Sequence, residues 1–108
     1  MGYSYAANLS DLKMATTLRV VINQEPILLV HDKDTVFAMD DRCPHMKASL
    51  AEGTYEDGVV TCKRHHAKID VRTGNILQKA KIGFIKLPTK PAKTYKIKID
   101  NDDILVLV

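Results

Sequence analysis

Short apolar runs alternate with turn-forming residues along most of the chain. Runs of about four to eight residues, rich in Val, Ile, Thr and aromatic residues and separated by Asn, Asp, Gly or Pro, are typical of β-strands joined by tight turns. Residues 95–99 alternate apolar and basic side chains, which predicts a strand with one buried face and one solvated face. Residues 104–108 are apolar throughout, and we expect this last strand to lie centrally in its sheet. The other predicted strands are 17–22, 27–31, 35–39, 58–61 and 68–71.

Helical periodicity is weak. Residues 9–12 are compatible with a single helical turn, and no longer stretch keeps apolar residues at helical spacing. The break at 23–26 predicts a hairpin whose return strand begins just after Pro26. The pattern therefore predicts an all-β fold, a small antiparallel sandwich or barrel. One long irregular stretch, 42–58, has one cysteine near its start and the other shortly after its end.

Length and charge limit the classes of protein that fit. A chain of 108 residues fits a single domain, and we expect one domain over residues 1–108. Basic residues outnumber acidic ones by 16 to 13, an excess too small to indicate nucleic-acid binding. No apolar run approaches the roughly 18 residues of a membrane span, and the first residues lack the pattern of a secretory leader. We therefore expect a monomeric cytoplasmic protein without membrane or nucleic-acid partners.

Both cysteines and two of the four histidines fall into two short motifs. Cys43 and His45 form a Cys-x-His, and after a gap of sixteen residues Cys62 and His65 form a Cys-x-x-His. Thiolate and imidazole are good ligands for iron and for zinc, so two such loops predict a four-ligand metal site.

Three other interpretations of the motifs stay open at this point. The cysteines could be small core residues beside unrelated histidines, or they could form one disulfide. The four residues could also hold a structural zinc ion, although zinc ribbons usually begin with two closely spaced cysteines, which this chain lacks.

The two motifs and their surroundings resemble the Rieske iron–sulfur family, and in particular its small ferredoxins. The likeness extends over residues 41–50, which resemble the first cluster loop, and residues 59–74, which resemble the second loop with its following strand and turn. The resemblance implies a Rieske-type fold with two cluster-binding loops and one 2Fe–2S cluster per chain. By position, it implies that one iron is held by Cys43 and Cys62, and the other by His45 and His65.

The resemblance also implies a function. The chain would be a one-electron carrier rather than an enzyme, taking electrons from a reductase and passing them to an oxygenase or a similar acceptor. Neutral imidazoles remove two negative charges from the ligand shell, so a Rieske centre has a potential of roughly −150 to +300 mV. The alternatives are a small subunit of a nitrite-reductase-like complex and, from a different class, a structural zinc-binding interaction module.

Some positions depart from the family pattern. Lys47 and His66 stand where relatives often have glycine, although histidine is among the residues that most readily adopt a positive φ. We expect His65, rather than His66, to be the fourth ligand, because neighbouring side chains of an extended chain point in opposite directions. Met46 and Leu50 are expected to shield the cluster, and Pro88 and Pro91 are the two candidates for a proline lid.

A basic stretch follows the second motif. Residues 79–98 contain seven lysines and no acidic residue. They form either an ordinary solvated face or a docking surface for an acidic redox partner. Asp40 and Asp41, just before the first motif, are expected to add opposite charge to such a surface.

Overall fold

The computed structural model describes residues 2–44, 48–64, 66–79, 81–82, 85–86 and 90–108, with 81–82 and 85–86 described by their backbone alone. Within these ranges the chain forms one α-helix, one short 3-10 helix and thirteen β-strands. The helices are α1 (Leu9–Ala15) and the 3-10 helix Leu50–Glu52. The strands are β1 (Tyr3–Asn8), β2 (Thr17–Ile22), β3 (Glu25–Asp32), β4 (Thr35–Asp40), β5 (Thr54–Glu56), β6 (Val59–Thr61), β7 (Lys68–Asp70), β8 (Ile76–Gln78), β9 (Lys81–Ile82), β10 (Ile85–Lys86), β11 (Thr94–Tyr95), β12 (Ile97–Asp100) and β13 (Asp103–Leu107).

The strands pair in antiparallel sheets, which confirms the all-β prediction. One sheet, which we call the central sheet, has the order β11-β4-β3-β2, a second has the order β1-β13-β12, and a third has the order β5-β6-β7-β8. The last strand, β13, lies between β1 and β12, so its predicted central position is confirmed. A two-stranded pair, β9 with β10, completes the described sheets. No helix in the described ranges has the length and apolar character needed to cross a membrane.

The β3 strand packs into two hydrophobic cores at once. Alternate residues of a strand face opposite sides, and Leu28 and Val30 accordingly lie in one core while Ile27 and Leu29 lie in the other. We call these the cysteine core and the terminal core. The buried members of the cysteine core are Leu28, Val30, Met39, Cys43, Leu50, Val60, Cys62, Ala67, Ile69, Val71 and Ala92. Those of the terminal core are Leu12, Ile22, Ile27, Leu29, Val36, Ala38, Ile104 and Val106.

The first hairpin differs from the sequence prediction. The β3 strand begins at Glu25, so the prediction that the return strand starts after Pro26 is wrong. Asn23 and Gln24 form a two-residue turn with φ of 51° and 67°. Ile22 pairs with Glu25 across the turn, so the next pair, which includes Pro26, falls at a position without ladder hydrogen bonds to β2. Proline therefore costs the hairpin no backbone hydrogen bond there.

Several elements were missed or underestimated from the sequence. The single helical turn expected at 9–12 is a seven-residue helix, α1. Strand β5 lies inside the stretch expected to be irregular, and neither β1 nor β8 was predicted. These strands are short or half-exposed, so their conformation comes from pairing with a neighbour rather than from their own apolar pattern.

A charged contact joins the central sheet to the β5-β6-β7-β8 sheet. Arg72, in the turn after β7, donates a hydrogen bond of 2.7 Å to the carboxylate of Asp32 at the end of β3. This hydrogen bond, with a further one from Tyr55, holds the pKa of Asp32 below its ordinary value of 3.8. The carboxylate is therefore ionised at neutral pH and attracts the Arg72 guanidinium across the two sheets.

Gly74 gives a test of how closely the chain packs beside this sheet. It has φ of 79°, and a Cβ there would lie 2.2 Å from the carbonyl oxygen of Ala92. We expect Gly74→Ala to destabilise the folded protein by roughly 2–4 kcal/mol, from backbone strain and the clash together. The measurement is the midpoint of denaturant unfolding. Gly2→Ala is the control, because nothing lies within 4 Å of a Cβ at Gly2; equal midpoints for the two variants would contradict this packing.

Candidate metal centre

The two cysteines of the predicted site lie in the same buried core. Cys43 follows the central-sheet strand β4, and Cys62 directly follows β6 of the neighbouring sheet. Each side chain is only 1% exposed, and both belong to the cysteine core. No disulfide joins these two described residues. The fold thus brings two thiols from separate sheets into one apolar environment.

Both cysteines begin loops that close in the same way. The backbone N–H of Cys43 donates to the carbonyl of Ala48 at 2.7 Å, and that of Cys62 donates to the carbonyl of Ala67 at 2.8 Å. Each hydrogen bond joins a cysteine to the residue five positions later, so the two loops are closed by the same backbone contact at the same spacing. The predicted ligands His45 and His65 belong to these two loops by sequence but lie outside the described residues. Met46 and Lys47 also lie outside them.

A buried carboxylate anchors the first loop. Asp41 is 1% exposed, and its side chain accepts hydrogen bonds from the Ser49 hydroxyl at 2.6 Å and from the Ala51 backbone N–H at 2.8 Å. A third donor is Nε of Arg19 on β2, at 3.0 Å. The carboxylate therefore ties the two ends of the loop to each other and to the central sheet.

The expectation that Asp41 contributes charge to the protein surface is wrong, because its carboxylate is buried and paired with Arg19. Asp40 is paired as well, with Arg42, whose guanidinium donates to both carboxylate oxygens at 3.0 and 3.1 Å. Sequence reasoning missed this anchoring role. The available signal was an aspartate two residues before Cys43, with a serine at the far end of the same loop.

The second loop ends in a left-handed residue. His66 has φ of 61°, which confirms that histidine is accommodated where relatives often have glycine. Its N–H donates to the carbonyl of Cys62 at 3.1 Å, and its own carbonyl accepts from the Gln78 amide at 3.0 Å. The chain turns at this residue instead of staying extended, so the extended-chain reasoning used to choose between the two histidines does not hold here.

The second loop borders a surface depression of about 320 Å³. It is lined by Cys62, Lys63 and His66 of the second loop and by Glu52 and Gly53. Only glycine fits at position 53, because a Cβ would lie 2.0 Å from the carbonyl oxygen of Thr61. Solvent can therefore approach the loop closely while the cysteine itself stays buried.

A second depression adjoins the first loop. Of the two candidates for a proline lid, Pro91 lines this depression together with Pro44. Pro88 lies outside the described residues.

The described residues fit an iron–sulfur centre at the level of chemistry. Two thiols in a shared apolar core can hold an iron away from water, and histidines two and three residues further along the same loops would add nitrogen ligands. No group of three or more His, Cys, Asp or Glu side chains is gathered among the residues that the structure describes. The two histidines outside that range are the ligands that would complete the set.

Comparison with known proteins identifies the family. The model of the Rieske [2Fe-2S] domain matches residues 3–89. The ferredoxin component of biphenyl 2,3-dioxygenase from Rhodococcus jostii is 38% identical over 107 residues, covering 98% of this chain and 92% of that protein. The anthranilate 1,2-dioxygenase ferredoxin subunit of Burkholderia cepacia is 40% identical over 88 residues, covering 82% and 75%. The solved structure of the carbazole 1,9a-dioxygenase ferredoxin from Nocardioides aromaticivorans is similar with a TM-score of 0.81 at 27% identity, covering 98% and 97%.

This chain belongs to the Rieske [2Fe-2S] domain family. The resemblance inferred from the two motifs is confirmed, and the cofactor is a Rieske-type 2Fe–2S cluster. Family membership therefore argues against the hypothesis that the two motifs hold a structural zinc ion.

Asp41 provides the test of how the first loop is held. Asp41→Ala leaves the half-buried Ser49 hydroxyl and Ala51 N–H without their acceptor, at a cost of about 1–3 kcal/mol each. We expect a lower midpoint of denaturant unfolding and faster loss of visible cluster absorbance in the presence of an iron chelator. The control is Asp34→Ala, which removes an exposed carboxylate in the turn between β3 and β4. If both variants kept the cluster equally long, the anchoring role of Asp41 would be refuted.

Proposed function

We propose that this chain is the electron-carrying ferredoxin of an oxygenase system, with its cluster held by Cys43, His45, Cys62 and His65. It is a carrier and not itself an enzyme, as are the ferredoxin components that match nearly its whole length. The observation that supports the ligand assignment best is the pair of equivalent loops. Each starts with a buried cysteine, is closed by the same backbone hydrogen bond, and contains a histidine two or three residues further on.

The chain's own residues divide the work of holding and isolating the cluster. When bound, the cluster supplies a one-electron couple that the protein itself lacks. Cys43 and Cys62 would bind it from the interior, where neighbours such as Leu50 and Val60 exclude water. The two histidines would bind it from the loop side. The loops carry exposed residues beyond the cysteines, so this side is the route by which electrons enter and leave.

The partners follow from the family and its relatives. The chain would accept one electron at a time from a reductase and deliver it to the oxygenase component of a ring-hydroxylating dioxygenase of the kind that its relatives serve. We further propose that it works as one domain over residues 1–108, as a monomer in the cytoplasm. The reducing conditions of that compartment keep the two cysteines available as ligands.

The ligand assignment predicts opposite results for two adjacent histidines. In His65→Ala the cluster loses one nitrogen ligand, and we expect the purified protein to lose its visible absorption with its iron and acid-labile sulfide. His66→Ala is the matched control, and we expect it to keep iron and sulfide at two each per chain, as a 2Fe–2S cluster requires. A protein that retained its spectrum in His65→Ala and lost it in His66→Ala would show that the assignment is wrong.

The carrier role has its own test with a defined acceptor. Reduced protein is mixed with the oxygenase component of biphenyl 2,3-dioxygenase, its aromatic substrate and oxygen, and re-oxidation of the cluster is followed by absorbance. We expect re-oxidation to be faster with the oxygenase than with the same mixture lacking it. Equal rates with and without the oxygenase would count against electron delivery to this class of acceptor.

A further inference from the structure

Exposed cations lie on the second cluster loop. Lys63 and Arg64 directly follow Cys62, and both side chains are exposed. Neither forms an ion pair within 4.0 Å in the part of the chain that the structure describes, where the four ion pairs all use other arginines. Their charges are therefore available to a molecule that approaches this loop.

The first loop has basic neighbours from a distant part of the sequence. Lys90 and Lys93 are exposed and line, together with Pro44 of the first loop, a depression of about 250 Å³. The carbonyl of Lys93 accepts a hydrogen bond of 2.8 Å from the N–H of Asp40, which fixes this segment beside the base of the loop. The ammonium of Lys93 also lies 4.8 Å from the centre of the Tyr95 ring, a cation–π contact that restricts its position.

The carboxylates close to these loops do not cancel that charge. Asp41 is buried and paired with Arg19, and Asp40 is paired with Arg42 on both of its oxygens. Glu52, beside the second loop, is an exposed carboxylate of the same region. Glu25 shares Arg42 with Asp40, so one further carboxylate charge of this region is left over. The four available cations around the two loops therefore exceed the carboxylates by two charges.

We propose that Lys63, Arg64, Lys90 and Lys93 form a basic rim around the electron-transfer end of the protein and dock an acidic, carboxylate-rich surface of its protein partner. The proposal rests on the proposed function, because it places the rim where electrons enter and leave. A rim of this kind steers an acidic partner into contact and releases it readily, and its effect weakens as salt screens the charges.

Small redox reagents of opposite charge can measure the rim without knowledge of the partner. The reduced cluster gives one electron to ferricyanide, which becomes ferrocyanide, or to hexaamminecobalt(III), which becomes cobalt(II). We expect the second-order rate with the anionic reagent to fall, and that with the cationic reagent to rise, as ionic strength increases from about 10 mM to about 300 mM. The opposite salt dependence for the two reagents, or none for either, would overturn the proposal.

Two matched charge variants locate the effect. Lys90→Gln/Lys93→Gln removes two charges of the rim without changing the cluster loops. The control, called the β12 variant, is Lys96→Gln/Lys98→Gln, which removes one exposed charge just before β12 and one within it, and the sheet of β12 covers the terminal core. At low salt we expect the rim variant to react with ferricyanide roughly three- to tenfold more slowly than the wild type, and the β12 variant to differ less than twofold. Equal effects of the two variants would overturn the rim as the site.

An acidic polypeptide tests the chemistry of the partner. Poly-L-glutamate should slow the reaction of the wild type with ferricyanide by occupying the rim, slow the rim variant much less, and lose its effect at high salt. Poly-L-lysine serves as the control polymer and should not inhibit. Inhibition by poly-L-lysine, or equal inhibition of both variants by poly-L-glutamate, would overturn the acidic partner. If the purified protein carried no reducible cluster, the proposed function itself would be contradicted rather than the basic rim. The visible spectrum would show this before any rate is measured.

Discussion

The burial of β3 on both faces is the constraint on which the rest of the structure depends. Leu28 and Val30 complete the cysteine core, while Ile27 and Leu29 complete the terminal core. A shift of one residue in the pairing of this strand would exchange the two sets and place every side chain on the wrong side. The pairing of β3 thereby fixes the cysteine core relative to the β1-β13-β12 sheet and the β5-β6-β7-β8 sheet. The metal centre is therefore built against a packed strand rather than on an unsupported loop.

Polar contacts hold the two loops that follow Cys43 and Cys62 in place beside the sheets. The first loop is tied to the central sheet by the buried Asp41 carboxylate, and the second is closed by the left-handed turn at His66. The N–H of His66 is engaged by the carbonyl of Cys62. Arg72 and Asp32 join the same two sheets further from the cysteines. These contacts hold the segments that carry the two cysteines in place, which lowers the conformational entropy lost when ligands from both loops assemble around a cluster.

Sequence reasoning found the chemistry because ligand spacing is local. The two motifs specified the family from a few residues, and β2, β7 and the central β13 could be predicted from short apolar runs. Features that depend on distant partners could not be predicted in this way. Strand β1 exists through its pairing with β13, and Asp41 is buried because Arg19, 22 residues earlier, supplies its charge partner. An aspartate next to a basic residue in the sequence suggests a position on the protein surface. Only the contacts in the folded structure show that Asp41 is buried.

The midpoint reduction potential tests the central claim most directly, because it reports the ligand set rather than the presence of iron alone. Two neutral imidazoles on one iron should place the potential of the native protein within roughly −150 to +300 mV. The lower end of that range is expected, because the resemblance links high potentials to a disulfide between the cluster loops, and the chain has no cysteines beyond Cys43 and Cys62 to form one. A potential near about −400 mV, as in all-cysteine plant-type ferredoxins, would contradict a cluster held by two cysteines and two histidines.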